Sequence, residues 1–282
     1  MGGRSIGGIV LAVRIGYQGE EGSYSHRAAG DLFPDGASAG FASFAAAFAA
    51  LEDGEVDRLV LPVENTTTGS VLPVLDRLAV EPVAIVAEHL VEVRHALLGL
   101  PGADPAAIRR VLSHPEALSQ AQDALLARGM EPVAAHDTAG AVRRVAETAN
   151  PAEAALAPPW AGAAHGLVVV AENVVDRDHN TTRFVVLANG APQIDDDDDK
   201  TTVVFQTAHR PGSLALALTE LGLRGANLTR IESRPGDAAW SYRFFVDFVH
   251  PPGPAGLAAV IDPPPATLAH LAVLGSYRAV VR

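Results

Sequence analysis

The sequence predicts an α/β protein in which a larger domain with a mostly parallel sheet precedes a smaller ferredoxin-like unit. Short apolar runs typical of buried strands alternate with helical periodicities over residues 12–192, and this alternation indicates an α/β domain. From Thr201 onward the predicted elements follow the order β-α-β-β-α-β, which is that of a ferredoxin-like unit. We therefore expect two domains, at 12–192 and 201–282.

The two domains are separated by an acidic segment at 193–200. Asp195 to Asp199 are five consecutive aspartates, and the segment has no apolar periodicity. Because like charges repel one another, we expect a solvated linker.

The first domain is predicted to contain nine strands and five helices. In the helix at 44–51, apolar residues recur at i, i+3, i+4 and i+7 after Ser43, a residue type favoured at helix N-caps. The other helices are expected at 25–33, 71–78 and 116–128, and from Asp137 onward. The strands are expected at 13–17, 59–63, 83–87, 91–98, 111–112, 132–135, 154–157, 167–171 and 183–187.

The second domain is predicted from a shorter set of patterns. Pro211 is suited to the first position of a helix because its missing N–H has no partner there. Prolines interrupt the stretch 251–265, where we expect irregular chain. The strands are expected at 202–207, 227–233, 240–249 and 277–281, and the helices at 211–222 and 266–271.

Composition excludes several classes of protein. With 48% hydrophobic and 19% charged residues, the chain is globular rather than disordered, and it has no apolar run long enough to span a membrane. The absence of cysteine excludes disulfides, thiolate metal sites and a cysteine nucleophile. A net charge of −12 argues against nucleic acid or an anionic membrane as partner. The apolar run 6–13 is short and has no cleavage pattern after it, so we expect a cytoplasmic protein.

Two polar motifs follow predicted strands of the first domain. The sequence GYQGEEGSYSH at 16–26 is a glycine-rich turn before a helix, where free backbone N–H groups favour an anion. The sequence PVENTTTGS at 62–70 places Glu64, Asn65 and three threonines at the carboxyl end of a strand, where ligands bind in open α/β sheets. A turn that only caps the next helix would explain the second motif equally well.

Two further motifs contain groups suited to acid–base or anion chemistry. His114 opens the motif HPEALSQ, and we interpret it, like His95 within an apolar strand, as a structural histidine. In NTTRF at 180–184, Arg183 presents donors that fit a carboxylate, and the neighbouring hydroxyl of Thr182 lies in its field. A salt bridge at the end of the strand is the alternative explanation.

The second domain contains HRPGSL at 209–214 and ESRP at 232–235. A turn that enters a helix and faces the end of a neighbouring strand makes a pocket large enough for an amino acid. A tight turn with a salt-bridged strand end is the alternative. No HExxH zinc motif, dinucleotide fingerprint or nucleophile elbow is present in the sequence.

In their order and separation these motifs resemble the prephenate dehydratase family with a C-terminal ACT regulatory domain. The resemblance covers nearly all of 13–282. It implies a catalytic domain of the type II periplasmic-binding fold, with lobe one at 12–90 and 172–192 and lobe two at 91–171. No chorismate mutase region precedes residue 13, so a monofunctional enzyme is expected. Glu20, the segment 157–164 with its Pro158–Trp160 run, and the proline-rich 251–265 depart from the family pattern.

The resemblance also implies functional residues. Thr182 would be the catalytic hydroxyl and Arg183 its substrate-anchoring neighbour. The residues that would bind substrate are Gly22, Ser23, Glu64, Asn65, Thr66, Thr67, Thr181 and Phe184. Those that would bind the effector phenylalanine are Pro211, Gly212, Ser213, Leu214, Asn227, Leu228, Glu232, Ser233, Arg234 and Pro235.

The activity implied is that of a carbon–oxygen lyase that converts prephenate into phenylpyruvate, carbon dioxide and water in L-phenylalanine biosynthesis. The resemblance implies no cofactor and no metal, feedback regulation by L-phenylalanine, and a homodimer or homotetramer. Arogenate as substrate is the nearest alternative, and a non-catalytic amino-acid sensor is a more distant one.

Overall fold

The computed structural model describes residues 5–6, 9–10, 13–176, 180–236 and 238–280. The expected domain limits at residues 12 and 282, and half of the apolar run at 6–13, lie outside the described residues. None of the helices in this part of the chain is long and apolar enough to cross a membrane.

Strands and helices alternate through most of the chain, which confirms the α/β class. The helices are α1 Tyr24–Leu32, α2 Phe44–Glu52, α3 Leu72–Leu78, α4 Pro115–Ser119, α5 Gln122–Leu126, α6 Thr138–Thr148, α7 Ser213–Leu223 and α8 Gly253–Ile261. The strands are β1 Ser5–Ile6, β2 Ile9–Val10, β3 Arg14–Gln18, β4 Ala37–Phe41, β5 Arg58–Asn65, β6 Gly69–Ser70, β7 Val83–Glu92, β8 Ala96–Gly99, β9 Arg110–Ser113, β10 Glu131–Ala134, β11 Glu153–Ala157, β12 Val168–Ala171, β13 Thr181–Asn189, β14 Lys200–Thr207, β15 Asn227–Pro235, β16 Tyr242–Val249 and β17 Leu268–Tyr277.

Two sheets form the body of the molecule. The smaller has the strand order β10-β9-β11-β8-β12, and we call the part of the chain built on it lobe two. The larger has the order β15-β16-β14-β17-β7-β13-β5-β3-β4, with β6 paired to β5. We call the part built on β3–β7 and β13 lobe one. The chain passes from lobe one to lobe two between β7 and β8, and it returns between β12 and β13. Such a double crossing is what a two-lobed domain requires.

The last four strands, with α7 and α8, form the C-terminal unit. Their chain order β-α-β-β-α-β agrees with the sequence prediction, and their sheet order is that of a ferredoxin-like fold. The unit is continuous with the sheet of lobe one because β17 lies parallel to β7 at Gly275 and Ile85. A Cβ atom on Gly275 would lie 2.2 Å from the backbone oxygen of Ile85, so this approach requires glycine.

Several sequence-based expectations are wrong. The sheets of the two lobes are mixed rather than mostly parallel, because β13 pairs antiparallel with β5 and β7, and β8 pairs antiparallel with β11 and β12. The helix expected at 116–128 is two short helices, α4 and α5. The helix expected at 266–271 is wrong, because this segment enters β17, whose pairing with β14 overrides the local pattern. The expected strand at 277–281 is displaced for the same reason. The stretch 251–265, expected to be irregular, contains α8, because Pro254 lies in the first turn, where no N–H is needed.

The acidic segment is not a freely solvated linker. Asp195 donates its backbone N–H to the carboxylate of Asp198 at 2.9 Å, and Asp198 is buried. The backbone oxygen of Asp199 accepts from His250, and its side chain accepts from the N–H of Ala279 at 2.7 Å. These contacts fasten the segment to the C-terminal unit. Burial raises the pKa of Asp198 above its ordinary value.

Candidate active site

A cavity of about 670 Å³ lies between the two lobes. Lobe one contributes the turn between β3 and α1, the end of β4, and the facing ends of β5 and β13. Lobe two contributes the residues that follow β9, β10 and β11, and the crossing segment adds Val93 and His95. The other lining residues used below are Glu20, Glu21, Gly22, Ser23, Tyr24, Asn65, His114, Glu116, Gln120, His136, Asp137, Thr138, His165, Asn180 and Thr182.

Helix α1 of lobe one and helix α6 of lobe two begin at this cavity. Ser23 caps α1 by accepting a hydrogen bond from the N–H of His26 at 3.2 Å. Asp137 caps α6 by accepting from Gly140 at 2.6 Å. Burial opposes ionisation of Asp137, but this hydrogen bond, a hydrogen bond with His136 and the charge of Arg143 hold the pKa of Asp137 below the ordinary value. The cavity therefore lies at the positive ends of two helix dipoles.

The hydroxyl of Thr182 is oriented by Asn65. Asn65 Nδ2 donates to Thr182 Oγ1 at 2.9 Å. Since the oxygen accepts this bond, the hydroxyl hydrogen is left to donate to a molecule in the cavity. Asn65 is itself fixed, because its Oδ1 accepts from the N–H and the hydroxyl of Thr67 at 2.9 and 2.6 Å. Residues 64–68 thus form a turn held by side-chain hydrogen bonds, as the alternative interpretation of this motif expected. The same turn places Asn65 at the cavity.

A chain of amides connects this hydroxyl to lobe two. Asn65 Nδ2 also donates to Asn180 Oδ1 at 2.7 Å, and Asn180 Nδ2 donates to Gln120 Oε1 at 2.9 Å. Burial lowers the pKa of His95, and a hydrogen bond with Gln120 opposes this only in part. His95 is therefore neutral near pH 7. The orientation of Thr182 depends on residues of both lobes.

Arg183 does not line the cavity. Successive side chains on a strand point to opposite faces, so Thr182 faces the cavity while Arg183 faces the C-terminal unit. The guanidinium is buried and contacts Glu88, Asp247 and Tyr277. The structure therefore places the expected substrate anchor in an internal ion network.

Some of the other residues expected to bind substrate line the cavity, and the rest lie outside it. Gly22, Ser23 and Asn65 line the cavity. Glu64 lies 3.8 Å from Arg183 and 3.9 Å from Arg230. Five expected residues are outside the lining: Thr66, which accepts from the N–H of Thr181 at 3.0 Å; Thr67, which holds Asn65; Thr181; Phe184, which is in the core; and Glu64.

Two of the departures from the family pattern, Glu20 and Trp160, each contact the opposite lobe. Glu20 of lobe one forms an ion pair with Arg143 of lobe two. The indole of Trp160 hydrogen-bonds to the turn before α1, and the guanidinium of Arg27 lies 5.2 Å from its ring centre. Tyr24 meets the same ring edge-on, with the centroids 5.4 Å apart. Both departures therefore hold the lobes together.

The residues expected to bind an effector lie on the C-terminal unit, away from this cavity. The turn before α7 contains Gly212 with a positive φ of 81°. On β15, Glu232 Oε2 accepts from Ser70 Oγ at 2.7 Å, and Arg234 binds Asp76 at 2.9 and 2.7 Å. Ser70 and Asp76 belong to lobe one. Among the remaining expected residues, Leu214 and Leu228 pack against the core of the unit, Pro211, Asn227, Ser233 and Pro235 are exposed, and Ser213 begins α7.

Sequence reasoning missed Gln120, Asn180 and His95 as site residues. Gln120 is the last residue of the motif HPEALSQ, and Asn180 is the first residue of the motif NTTRF. Their positions in these motifs could have identified them. His95 was interpreted as a core histidine and is indeed buried, but it also lines the cavity. His114, His136 and His165 line it as well.

The charges around the cavity are mainly acidic. Glu20, Glu21, Glu116 and Asp137 belong to the lining, whereas no lysine or arginine of the described residues does. A bound anion must therefore be held by backbone N–H groups, hydroxyls, amides and imidazoles. Nowhere in the described ranges do three or more His, Asp or Glu side chains form a group that could hold a metal ion.

Comparison with known proteins identifies the family. Residues 15–192 match the family model described as prephenate dehydratase. The chain belongs to the prephenate dehydratase family. This confirms the resemblance found in the motifs, and the match to the prephenate dehydratase model ends before the C-terminal unit.

Relatives of this prephenate dehydratase family member include plant and bacterial proteins. "Arogenate dehydratase/prephenate dehydratase 2, chloroplastic" of Arabidopsis thaliana is 41% identical over 249 residues, which cover 84% of this chain and 65% of the plant protein. The chain thus spans slightly less than two thirds of that relative. "Bifunctional N-acyl-homoserine lactone acylase/prephenate dehydratase" of Komagataeibacter europaeus is 34% identical over 252 residues, 88% of this chain and 89% of the relative.

A solved prephenate dehydratase shares the whole architecture. The structure of the Arthrobacter aurescens enzyme in complex with L-Phe has a TM-score of 0.80 and 29% identity, and it covers 95% of this chain and 90% of that chain. Coverage of 95% includes most of the C-terminal unit, which the family model does not reach. The fold of this unit is therefore shared with the Arthrobacter prephenate dehydratase.

Proposed function

We propose that this chain catalyses the decarboxylating dehydration of prephenate to phenylpyruvate. The observation that carries the proposal is the hydroxyl of Thr182, which Asn65 orients toward the interlobe cavity of a prephenate dehydratase family member. Breaking the ring carbon–carboxylate bond releases carbon dioxide, and its electron pair aromatises the ring as the ring carbon–oxygen bond breaks. Hydroxide leaves and takes up a proton from solvent to become water.

Thr182 acts on the departing oxygen. Because Thr182 Oγ1 already accepts a bond from Asn65, its hydrogen points to the acceptor that develops negative charge as the carbon–oxygen bond breaks. A threonine hydroxyl is a weak acid, so its contribution is a preorganised hydrogen bond that is stronger in the transition state than in the ground state. The amide chain through Asn180 to Gln120 prevents the hydroxyl from turning away.

Binding of the two substrate carboxylates relies on neutral donors. The start of α1 brings backbone N–H groups and Ser23 to the cavity, and these favour an anion without a permanent positive charge. The contacts of Glu20 with Arg143 and of Trp160 with Gly22 hold the two lobes closed. The closed cavity excludes water and aligns the reacting bonds.

Arogenate is the alternative substrate, because the same ring chemistry applies when an amino group replaces the side-chain keto oxygen. The name of the Arabidopsis relative includes both activities. The acylase activity named for the Komagataeibacter relative is not proposed for this chain. In the described lining, the hydroxyls of Ser23 and Thr182 contact a backbone N–H and an amide rather than a histidine base.

The experiment compares wild type with Thr182→Val, which keeps the shape of the side chain and removes the hydroxyl. Phenylpyruvate is measured after incubation with prephenate, and phenylalanine after incubation with arogenate. We expect turnover in the variant to fall by roughly 10²–10³-fold, as for the loss of one preorganised hydrogen-bond donor. Thr148→Val, outside the cavity in lobe two, is the matched control and should keep full turnover. Undiminished turnover in Thr182→Val would refute the assignment, and lack of product from wild type with either substrate would refute the function.

We infer further that residues 201–282 form an ACT-type regulatory unit that binds L-phenylalanine and that the cytoplasmic protein forms a homodimer or homotetramer. The L-Phe complex of the Arthrobacter relative supports the first point. The position of β15 at the end of the large sheet supports the second, since its free edge can pair with another copy. Calorimetry should detect binding of L-phenylalanine but not D-phenylalanine, weakened in Asn227→Ala. Absence of heat with wild type would contradict this role, and light scattering that gives a monomer would contradict the oligomer.

A further inference from the structure

We propose that Arg183 is a positioning residue through which the C-terminal unit holds the catalytic hydroxyl of Thr182 in place. The two residues are consecutive on β13, so a displacement of one moves the backbone of the other. Thr182 faces the cavity and Arg183 faces the C-terminal unit. This inference rests on the proposed function, because it assigns Thr182 the role given above.

The guanidinium of Arg183 joins two parts of the molecule. Its Nε donates to Glu88 of lobe one at 2.7 Å. Its Nη1 donates to Asp247 of β16 at 2.5 Å, and its Nη2 donates to the hydroxyl of Tyr277 of β17 at 2.7 Å. Two of its three hydrogen-bond partners therefore belong to the C-terminal unit, and the three hydrogen bonds fix the planar group in one orientation.

Further contacts hold these partners. Glu88 Oε2 also accepts from Lys200 Nζ at 2.7 Å, and Glu88 Oε1 accepts from the N–H of Val280 at 2.9 Å. The hydroxyl of Thr202 donates to Asp247 Oδ1 at 2.7 Å and lies 2.6 Å from the Tyr277 hydroxyl. The side chain of Arg183 cannot move alone, because every acceptor around it is shared with a residue of the C-terminal unit.

Burial makes this network sensitive to small displacements. The side chain of Arg183 is 7% exposed, and those of Glu88 and Asp247 are 2% and 1% exposed. Burial opposes the charged form of Asp247, but Arg183, Arg230 and the Thr202 hydroxyl together hold its pKa below the ordinary value. A buried charge that loses its partner is strongly destabilised. The network therefore has one favourable arrangement rather than a range of them.

Strand β5, which pairs with β13 beside Thr182, contains a β-bulge. We infer that the position of Thr182 therefore depends on the contacts of Arg183. In the pairing of β13 with β5, Arg183 lies opposite Glu64 and Phe184 lies opposite Pro62, which leaves Val63 as an extra residue. Such a bulge changes the direction of nearby side chains. Asn65, which orients the Thr182 hydroxyl, follows two residues after the bulge.

Loss of the Arg183 contacts should affect the catalytic step and leave substrate binding nearly unchanged. Loosening Arg183 should misplace the hydroxyl while leaving the groups at the start of α1 intact, so kcat falls and KM changes little. Movement of the C-terminal sheet by an effector would act on the hydroxyl by the same route, because Asp247 and Tyr277 lie on strands of that sheet.

The test uses Tyr277→Phe, which removes one hydroxyl from the network and preserves the ring. We expect kcat to fall by roughly ten- to a hundredfold, as a small misplacement of a catalytic group does, with KM within about twofold of wild type. Tyr242→Phe is the matched control, because it removes a hydroxyl from a half-exposed tyrosine of β16. This variant should leave kcat and KM unchanged. Arg183→Lys, which keeps the charge but not the three-pronged contact, should lose less activity than Arg183→Met.

A second measurement does not depend on turnover. Amide hydrogen exchange in residues 180–184 should be faster in Tyr277→Phe than in wild type, and unchanged in Tyr242→Phe. If Tyr277→Phe has wild-type kcat and wild-type exchange in this segment, the proposal is overturned. If wild type has no dehydratase activity but exchange responds as expected, the proposed function fails and the mechanical link from Tyr277 to Thr182 stands.

Discussion

The indole Nε1 of Trp160 donates a hydrogen bond of 3.1 Å to the backbone oxygen of Gly22 on the other side of the cleft. Trp160 belongs to lobe two, and Gly22 lies in the turn that brings α1 of lobe one to the cavity. Arg27 and Tyr24 pack on the same indole. The contact therefore favours the closed arrangement of the lobes.

Replacing Trp160 by Phe keeps an aromatic ring and removes the N–H. A hydrogen bond contributes about 0.5–1.5 kcal/mol, and affinity falls with the fraction of molecules able to close. We expect KM for prephenate to rise by roughly two- to tenfold with kcat less affected. Trp240→Phe is the matched control, since Trp240 is 82% exposed and remote from the cleft contacts. Equal KM values in the two variants would contradict a closing role for Trp160.

The ion pair between Glu20 and Arg143 should add to closure through charge. Both side chains are nearly half exposed, so the pair is worth at most about 1 kcal/mol and weakens in salt. Glu20→Gln should raise KM by about two- to fivefold at low ionic strength and less at high ionic strength. Combining it with Arg143→Gln should add nothing further. Additive effects in the double variant, measured by steady-state kinetics, would show that the two residues act separately.

Gly275 determines how closely the C-terminal unit approaches lobe one. In Gly275→Ala the new Cβ would overlap the backbone oxygen of Ile85, so the strands must separate. We expect a loss of about 1–3 kcal/mol in the free energy of unfolding, the usual cost of overpacking. Gly222→Ala in α7, where nothing lies within 4 Å, should instead be stabilising by about 0.5–1 kcal/mol. Urea unfolding of both variants checks the prediction, and equal midpoints would refute it.

His95 should make stability depend on pH. Burial lowers the folded-state pKa of His95 below its ordinary value of 6.5, so the unfolded chain binds a proton there more readily than the folded chain. Stability is then fully present above about pH 6.5 and decreases as the pH falls, by at most about 1.4 kcal/mol per pH unit for one proton. In His95→Gln this part of the slope should disappear. Urea midpoints between pH 7.5 and 5 that fall equally in both proteins would exclude His95 as the source.

Sequence patterns were sufficient for much of the fold because many elements carry their own local evidence. Ser23, Ser43 and Asp137 cap helices in the structure through the hydrogen bonds their residue types favour. The C-terminal end was predicted less well. The segment 266–271 was predicted as a helix, but most of it belongs to β17, whose pairing with β14 and β7 is not visible in the local sequence.

The sequence predicted only those parts of the candidate site that lie within a single motif. Motifs locate Thr182 and Asn65, but the amide chain joins Asn180 to Gln120 across 60 positions, a contact that spacing alone does not reveal. The direction of Arg183 was open to prediction, since neighbours on a strand face opposite ways. Its partners Asp247 and Tyr277 were not, because they come from the other domain.

The single sheet that runs from β15 to β4 has a practical consequence for any attempt to shorten the protein. Cutting the chain at residue 192 would remove β17 from the edge of β7 that lies opposite β13, and backbone groups exposed at a strand edge invite aggregation. It would also leave Glu88 and Arg183 without Lys200 and Asp247. The two lobes and the C-terminal unit are therefore structurally interdependent, and a chain that ends at residue 192 would lack contacts on which lobe one depends.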